Sequence, residues 1–400
     1  MNFYNAKIDS AADRKIVADD MLLTKETPTT AGSRMLEGYV SLFEAEALTR
    51  AAAAGYSLCG KASVGEFAID LVGETAYNGA LVSEGVLLNA SAEILKAGDA
   101  VAALNMDVNG SVRRAAAQNG LVSVKPTYGS VSRFGTVPVV CSGECVSVMA
   151  KKIADCRDLL DAIAGHDDKD GTSLAEELCA KLKKGAAGKT VARVAILKSM
   201  TEGADAAVLS KLDAAVKALE ANGVAVCEVE DDVIAASRVA WNTLMSAELC
   251  NNVSRYDGVK YGYRAQSFTN LDELYTNSRT EAFGKLLKTA ILFGSETLST
   301  DNYMKVYDKA QRVRRVIVEA FAKLFADVDA ILMPACSKMT YTEADLGENQ
   351  YMTFEENFYT APASIAGLPA VVAGGVQLVG PAFSEQALLS VAECFEKEGR

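Results

Sequence analysis

An α/β fold is predicted by three features of the 400-residue chain. The first is a strand, helix, strand succession: Val191–Leu197, Asp205–Ala221 closing on Asn222-Gly223, then Val224–Val229. Such a unit favours parallel strands, because the crossover helix must return the chain to the same end of the sheet. The second is the short apolar strand Val101–Leu104, a polar turn at Asp107–Gly110, and a small-residue helix from Val112 to Gln118. The third is the return of a strand at Val328–Met333 after the mostly helical residues 236–330.

The remaining elements follow in order. Residues 1–20 are polar and Ala/Asp-rich and read as a short strand and turn or a frayed end. Glu44–Ala54 is an Ala-rich helix, and Gly55–Lys61 the turn and apolar run that follow it. Residues 84–98 read as a helix opened near Ser83 and stopped at Gly98, with Val86, Leu87, Ile94 and Leu95 on its apolar side. Ile153–Ala164 is an amphipathic helix, and residues 166–190 read as a charged surface excursion. A long helical run spans Tyr303–Phe325, Tyr359–Val379 alternates small residues with Gly-Leu-Pro and Gly-Gly turns, and Ser384–Lys397 closes as a helix.

Bulk properties exclude several functions. Half the residues are hydrophobic and 23 % are charged, an ordinary globular balance. With 40 basic against 52 acidic residues the net charge is −12, so no direct nucleic-acid binding face is expected. No apolar stretch approaches the ~20 residues of a membrane helix, and no charged-then-apolar leader opens the chain. Nine irregularly spaced cysteines then read as reduced thiols in a cytoplasmic protein. Cys141 and Cys145 have no second ligand pair at zinc spacing, so neither metal nor cofactor is expected. The single histidine, His166, lies in a charged turn, which removes the usual Ser-His and Cys-His schemes.

Longer stretches carry a more specific signal. They are Thr29-Thr30-Ala31-Gly32-Ser33-Arg34, Gly60-Lys61 with Glu66-Phe67-Ala68, Asp107 to Arg113, and Lys125-Pro126-Thr127-Tyr128-Gly129. Further on come Arg255 to Arg264, Lys309 to Arg314, Tyr359-Thr360-Ala361-Pro362 and Ala366-Gly367-Leu368-Pro369. From about residue 16 onward the chain resembles the amidase signature family, and within it the A-type subunits of tRNA-dependent amidotransferases. The resemblance implies one amidase-like domain over residues 1–400, an α/β/α layered domain with a mixed central sheet covered by helices. It also implies a chain lacking the family's N-terminal helices.

Family members use a Ser nucleophile, a second Ser, and a neutral Lys that accepts the proton. By resemblance Ser111 takes the nucleophile position, Val108, Asn109 and Gly110 form the oxyanion loop, and Asp107 and Arg113 support it. Asn109 replaces a Gly, so φ > 0 there would carry a steric penalty. Leu87 falls on the second Ser. Ala18 or Asp19 falls on the Lys, depending on where one extra residue is placed, with Lys15 and Lys25 as the only nearby substitutes. On the substrate side, Tyr256, Tyr261 and Arg314 match positions around the family's pocket, and Asn357 replaces an Asp that would hold an α-ammonium.

Loss of one member of such a catalytic unit commonly removes on the order of 10⁶ in rate. The expectation is a scaffold that has lost amide hydrolysis and binds a protein partner, an amidotransferase B- or C-like subunit or another chain. The alternative is an amidase or glutaminase subunit in which Lys15, Lys25 or a partner's residue replaces the base, supplying ammonia for tRNA-dependent amidation. A third possibility is a binding module that uses the vacated cleft for a small amide or amino acid.

Overall fold

The computed structural model describes residues 2–10, 12–183 and 190–396. Thirteen strands run in chain order: β1 Tyr4–Lys7, β2 Lys15–Asp19, β3 Ser57–Ala62, β4 Val82–Ser83, β5 Val86–Leu87, β6 Ala102–Asp107, β7 Val122–Lys125, β8 Cys145–Ala150, β9 Arg193–Leu197, β10 Ala225–Val229, β11 Ala330–Met333, β12 Ala370–Ala373 and β13 Val376–Val379. Eleven of them form one mixed sheet in the order β1-β3-β2-β6-β8-β7-β12-β13-β11-β9-β10, and β4 pairs with β5 apart from it. The predicted crossover unit is present, with β9 and β10 parallel and in register from Arg193↔Ala225 to Leu197↔Val229.

Side chains alternate across the pleat, so each central strand feeds two cores. On one face Ile16, Ala18, Leu104, Met106, Val124 and Val148 join a large cluster with the helices Glu46–Ala53, Ile153–Ile163, Ala206–Ala221, Ser237–Val253, Asp308–Leu324 and Glu385–Glu396. On the other, Val17, Ala103, Met149 and Val372 pack with the helices Ala90–Ala97 and Ser111–Gln118. The result is helices, sheet and helices in layers, the arrangement expected from the resemblance.

One expectation needs correction. The segment from Ser83 to Gly98 is not one helix: Glu84 (φ 51°) and Gly85 (φ 79°) make a two-residue hairpin turn joining β4 to β5, and the helix starts only at Ala90. Positive φ at both central residues matches the twist of paired strands, while Asn89 supplies the helix cap by accepting from the Ala92 N–H. Of the two readings left open for residues 1–20, the strand is the one seen, with β1 and β2 both entering the sheet. The start of the stretch Tyr359–Val379 is helical, Tyr359–Ile365 being the end of the helix Met352–Ile365, which carries Pro362 inside it; burial along that helix outweighs the lost hydrogen bond. Most of the excursion folds back on the body, burying Cys179 and Leu182, and its residues 184–189 lie outside the described residues, as does Lys397.

Candidate functional site

Strands β2 and β6 run parallel with Ile16↔Ala102, Val17↔Ala103 and Ala18↔Leu104 in register. One residue further on, the alternation turns Asp19 and Asn105 toward the face that carries the Ser111–Gln118 helix, while Ala18 points into the opposite core. The Asp19 carboxylate accepts from the Met21 N–H at 3.0 Å and from the Met106 N–H at 2.6 Å. Burial pushes this carboxyl up to about 7, and the charge of Asp20 adds to the rise; the two N–H bonds and the ammonium of Lys61 only partly oppose it.

Lys61 itself pairs with Ala18 across β2 and β3, and so belongs to the far face of the sheet. There its Nζ lies 3.0 Å from Asp20 Oδ1 and donates to Thr29 Oγ1 at 2.9 Å, with both charged side chains buried. Lys25 is exposed, and Lys15 lines a separate depression with Tyr4 and Asp99. His166 stays with its own turn, bonding Asp168 and Leu174.

The turn before Ser111 is built by an ion pair. Arg113 Nε donates to Asp107 Oδ2 at 2.8 Å and Nη2 to Asp107 Oδ1 at 3.0 Å, both residues fully buried. Burial pushes the Asp107 carboxyl up, but the Arg113 guanidinium outweighs it and holds the group below the usual carboxylate range. The same guanidinium donates to Thr360 O, Ser364 Oγ and Gln377 Oε1, tying the turn to the Met352–Ile365 helix and to β13. Asp107 Oδ1 also accepts the Gly110 N–H at 3.1 Å. Gly110 is left-handed (φ 86°), and a Cβ there would lie 2.3 Å from Thr360 Cβ, so only Gly fits.

Asn109 avoids the expected strain. It is not among the residues with positive φ, so the turn needs only one left-handed position and Gly110 supplies it. The Asn109 side chain is instead a tie: Oδ1 accepts from Trp241 Nε1 at 2.8 Å and Nδ2 donates to Ile69 O at 2.8 Å. Val108 is fully buried in the core.

Ser111 opens the following helix, whose first backbone N–H groups have no partners within the helix. Its side chain borders a recess shared with Asp19, Ser63, Asp70, Asn89, Ser91 and Asn105, of about 10 Å³. That is room for one water-sized body, against the ~300 Å³ or more of a typical small-molecule site. No lysine lines it. Asp70, missed in the sequence, is fully buried: burial pushes it up to about 8, the charge of Glu74 adds to this, and the Thr75 bonds oppose it. Asn105 was also missed, although its place two residues before Asp107 on one strand puts both on one face.

The other sequence candidates do not meet at this recess. Leu87 sits in β5 with its N–H on Tyr341 O at 2.8 Å, and from its segment Asn89 and Ser91 reach the recess in its stead. Tyr256 is buried against Phe67 with ring centroids 5.5 Å apart, and Tyr261 meets it edge-on at 6.1 Å. Arg314 donates to Ser142 Oγ and O, both at 2.9 Å. Asn357 donates to Asn242 Oδ1 at 2.6 Å, and its own Oδ1 has no hydrogen-bond partner among the described residues.

A layered α/β sheet that presents a serine at a helix N-terminus, behind a Gly turn clamped by a buried Asp-Arg pair, is an amidase-type scaffold. The chain belongs to the Amidase family, whose pattern it matches over residues 91–389. It is 34 % identical over 398 residues to the A-type subunit of the glutamyl-tRNA(Gln) amidotransferase of Streptococcus pneumoniae strain 70585, covering 95 % of this chain and 82 % of that one. The corresponding A-type subunit of Acinetobacter baumannii strain AB0057 is 35 % identical over 400 residues, with 94 % and 81 % covered. The crystal structure of the Thermotoga maritima A-type subunit superposes with a TM-score of 0.79 at 25 % identity, over 99 % of this chain and 87 % of that one. The urea amidolyase of K. lactis shares the fold, with a TM-score of 0.80 at 21 % identity over 96 % of this chain and 23 % of that one.

Proposed function

We propose that this chain is an amidase-family subunit of the amidotransferase A type that no longer hydrolyses amides and serves as a scaffold for a protein partner. The observation that carries the reading is the recess at Ser111: about 10 Å³, lined by Asp19 and, among the described residues, by no lysine. A serine hydroxyl needs an adjacent base to attack a carboxamide, and the substrate needs room beside it. In this reading Asp19 stands at the family's Lys position and Leu87 at the position of the second Ser. Ser111 keeps the nucleophile's place without its activators, and Val108, Asn109 and Gly110 keep the oxyanion loop as structure. Tyr256, Tyr261, Arg314 and Asn357 likewise serve as packing and hydrogen-bonding groups. That the relatives are named as subunits supports a protein partner. No helix among the described residues is long and apolar enough to cross a membrane.

A second reading, in which hydrolysis survives, is favoured by one observation. Asp19, raised to about 7, borders the same recess as Ser111 and would be the substitute base. Glutamine and asparagine hydrolysis, measured on the purified chain and on its Ser111→Ala and Asp19→Asn variants, separates the two. The scaffold reading expects no ammonia release above the Ser111→Ala background. Turnover abolished by Ser111→Ala overturns it.

A further inference from the structure

The recess beneath Ser111 poses an electrostatic question that stands whether or not the chain turns over an amide. Asn105 is 3 % exposed, and its Nδ2 donates to Ser91 Oγ at 2.8 Å. Asn105 lines the recess, and its Oδ1 has no hydrogen-bond partner among the described residues. A buried acceptor left without a donor is destabilising, so such atoms normally meet a bound water or ion.

Charge decides between those two. Two acids, Asp19 and Asp70, line the same small space together with Ser63, Ser91 and Ser111. Among the described residues no Lys, Arg or His lines it. The nearby cations are committed elsewhere: Lys61 to Asp20 and Thr29 on the far face of the sheet, and Arg114 to the carbonyls of Asp70 and Leu71 and to Thr360 Oγ1. The recess thus offers oxygen acceptors and two buried acids whose protons a bound cation would replace, with no cationic residue among the described ones lining it.

We propose that this recess binds one unhydrated monovalent cation of the size of water, of the ammonium or potassium class, with Asn105 Oδ1, a carboxylate oxygen of Asp19 or Asp70, and the Ser91 and Ser111 hydroxyls as its oxygen ligands. A space of about 10 Å³ admits a single body of that size. Magnesium, which sheds its waters reluctantly, does not fit in it. Carboxyl, amide and hydroxyl oxygens are the hard ligands that such cations take. Occupancy would give Asn105 its missing partner and offset the burial of the two acids.

The test is thermal unfolding at fixed ionic strength in ammonium, potassium, sodium and tetramethylammonium chlorides, on the full chain and on Asn105→Leu, which keeps the volume and removes the unpaired oxygen. Ammonium or potassium should raise Tm saturably, by about 2 °C, tetramethylammonium should not, and Asn105→Leu should lose the rise. An equal Tm in all four salts, or a rise undiminished in Asn105→Leu, overturns the proposal. Because that variant could fail to fold, crystals of the unaltered chain grown with thallium(I), a potassium mimic, give a second measurement. Anomalous density between Asn105 and Ser111 supports the site; water density there without an anomalous signal overturns it.

Discussion

Trp241 Nε1 donates to Asn109 Oδ1 at 2.8 Å, so the one indole of the chain is hydrogen-bonded to the turn that leads into Ser111. Trp241 is 1 % exposed, and its ring lies where a Cβ on Gly143 would be, 2.3 Å from Cη2. Through Asn109 Nδ2 on Ile69 O, this contact joins the Ser237–Val253 helix, the nucleophile turn and the 66–70 turn. The turn before Ser111 is thus pinned from two sides.

Trp241→Phe is therefore expected to cost about 1–3 kcal/mol, since it strands a buried Asn109 oxygen as well as removing packing. Urea unfolding measures it. Asn109→Gly, which removes both side-chain bonds and frees the backbone, should destabilise by a similar amount. A neutral result for both variants would remove the tie from the account.

Gly110→Ala meets two penalties at once. The left-handed backbone disfavours a Cβ by about 1–2 kcal/mol, and the new atom would lie 2.3 Å from Thr360 Cβ. The expected outcome is a large drop in Tm or in soluble yield, whether or not Ser111 has any chemistry to do. A Tm unchanged from the parent chain contradicts the geometry.

Lys61→Met removes the cation from a pair in which both partners are buried. Asp20 still accepts from Asn5, from the Thr30 N–H and from Thr30 Oγ1, but its charge loses its counter-ion. Breaking such a pair from one side costs about 3–5 kcal/mol. Lys61→Met with Asp20→Asn should recover part of that loss, and a double-mutant cycle by denaturant unfolding reads the coupling.

Stability should fall as pH rises through the neutral range. Asp19 and Glu66 are pushed up to about 7 and Asp70 to about 8, in each case chiefly by burial, whereas unfolded carboxyls titrate near 4. Between those values the folded chain holds protons that the unfolded chain has released, so unfolding becomes easier with each rise in pH. The stabilisation is complete below pH ~4 and lost above pH ~8 for these groups. Asp70→Asn keeps an oxygen for the two Thr75 bonds and should make the slope between pH 5 and 8 shallower by up to about 1.4 kcal/mol per pH unit. Urea unfolding at several pH values checks this, and an identical slope in the variant rejects it.

Patterns that live on one element were legible in the chain. The Ser111 helix after its Gly turn and the Asp107–Arg113 spacing depend on contacts a few residues apart, and the β9–helix–β10 crossover shows in the periodicity of each of its elements, where local sterics decide. The same local logic misread Ser83–Gly98, because helical spacing of Val86, Leu87, Ile94 and Leu95 is equally compatible with a hairpin followed by a capped helix. Which residue faces Ser111 could not be read at all. Ala18 and Asp19 differ by one step along β2, and one step reverses the side of the sheet; only the register of β2 against β6 sets Asp19 on the recess side and Ala18 in the opposite core. Asp70 and Asn105 joined the site for the same reason: they come from segments distant in sequence, and only the packed sheet and its turns bring their acidic and amide groups into one small space. The amino-acid order thus determined the scaffold and the nucleophile turn, and the tertiary arrangement decided which charges stand beside that serine.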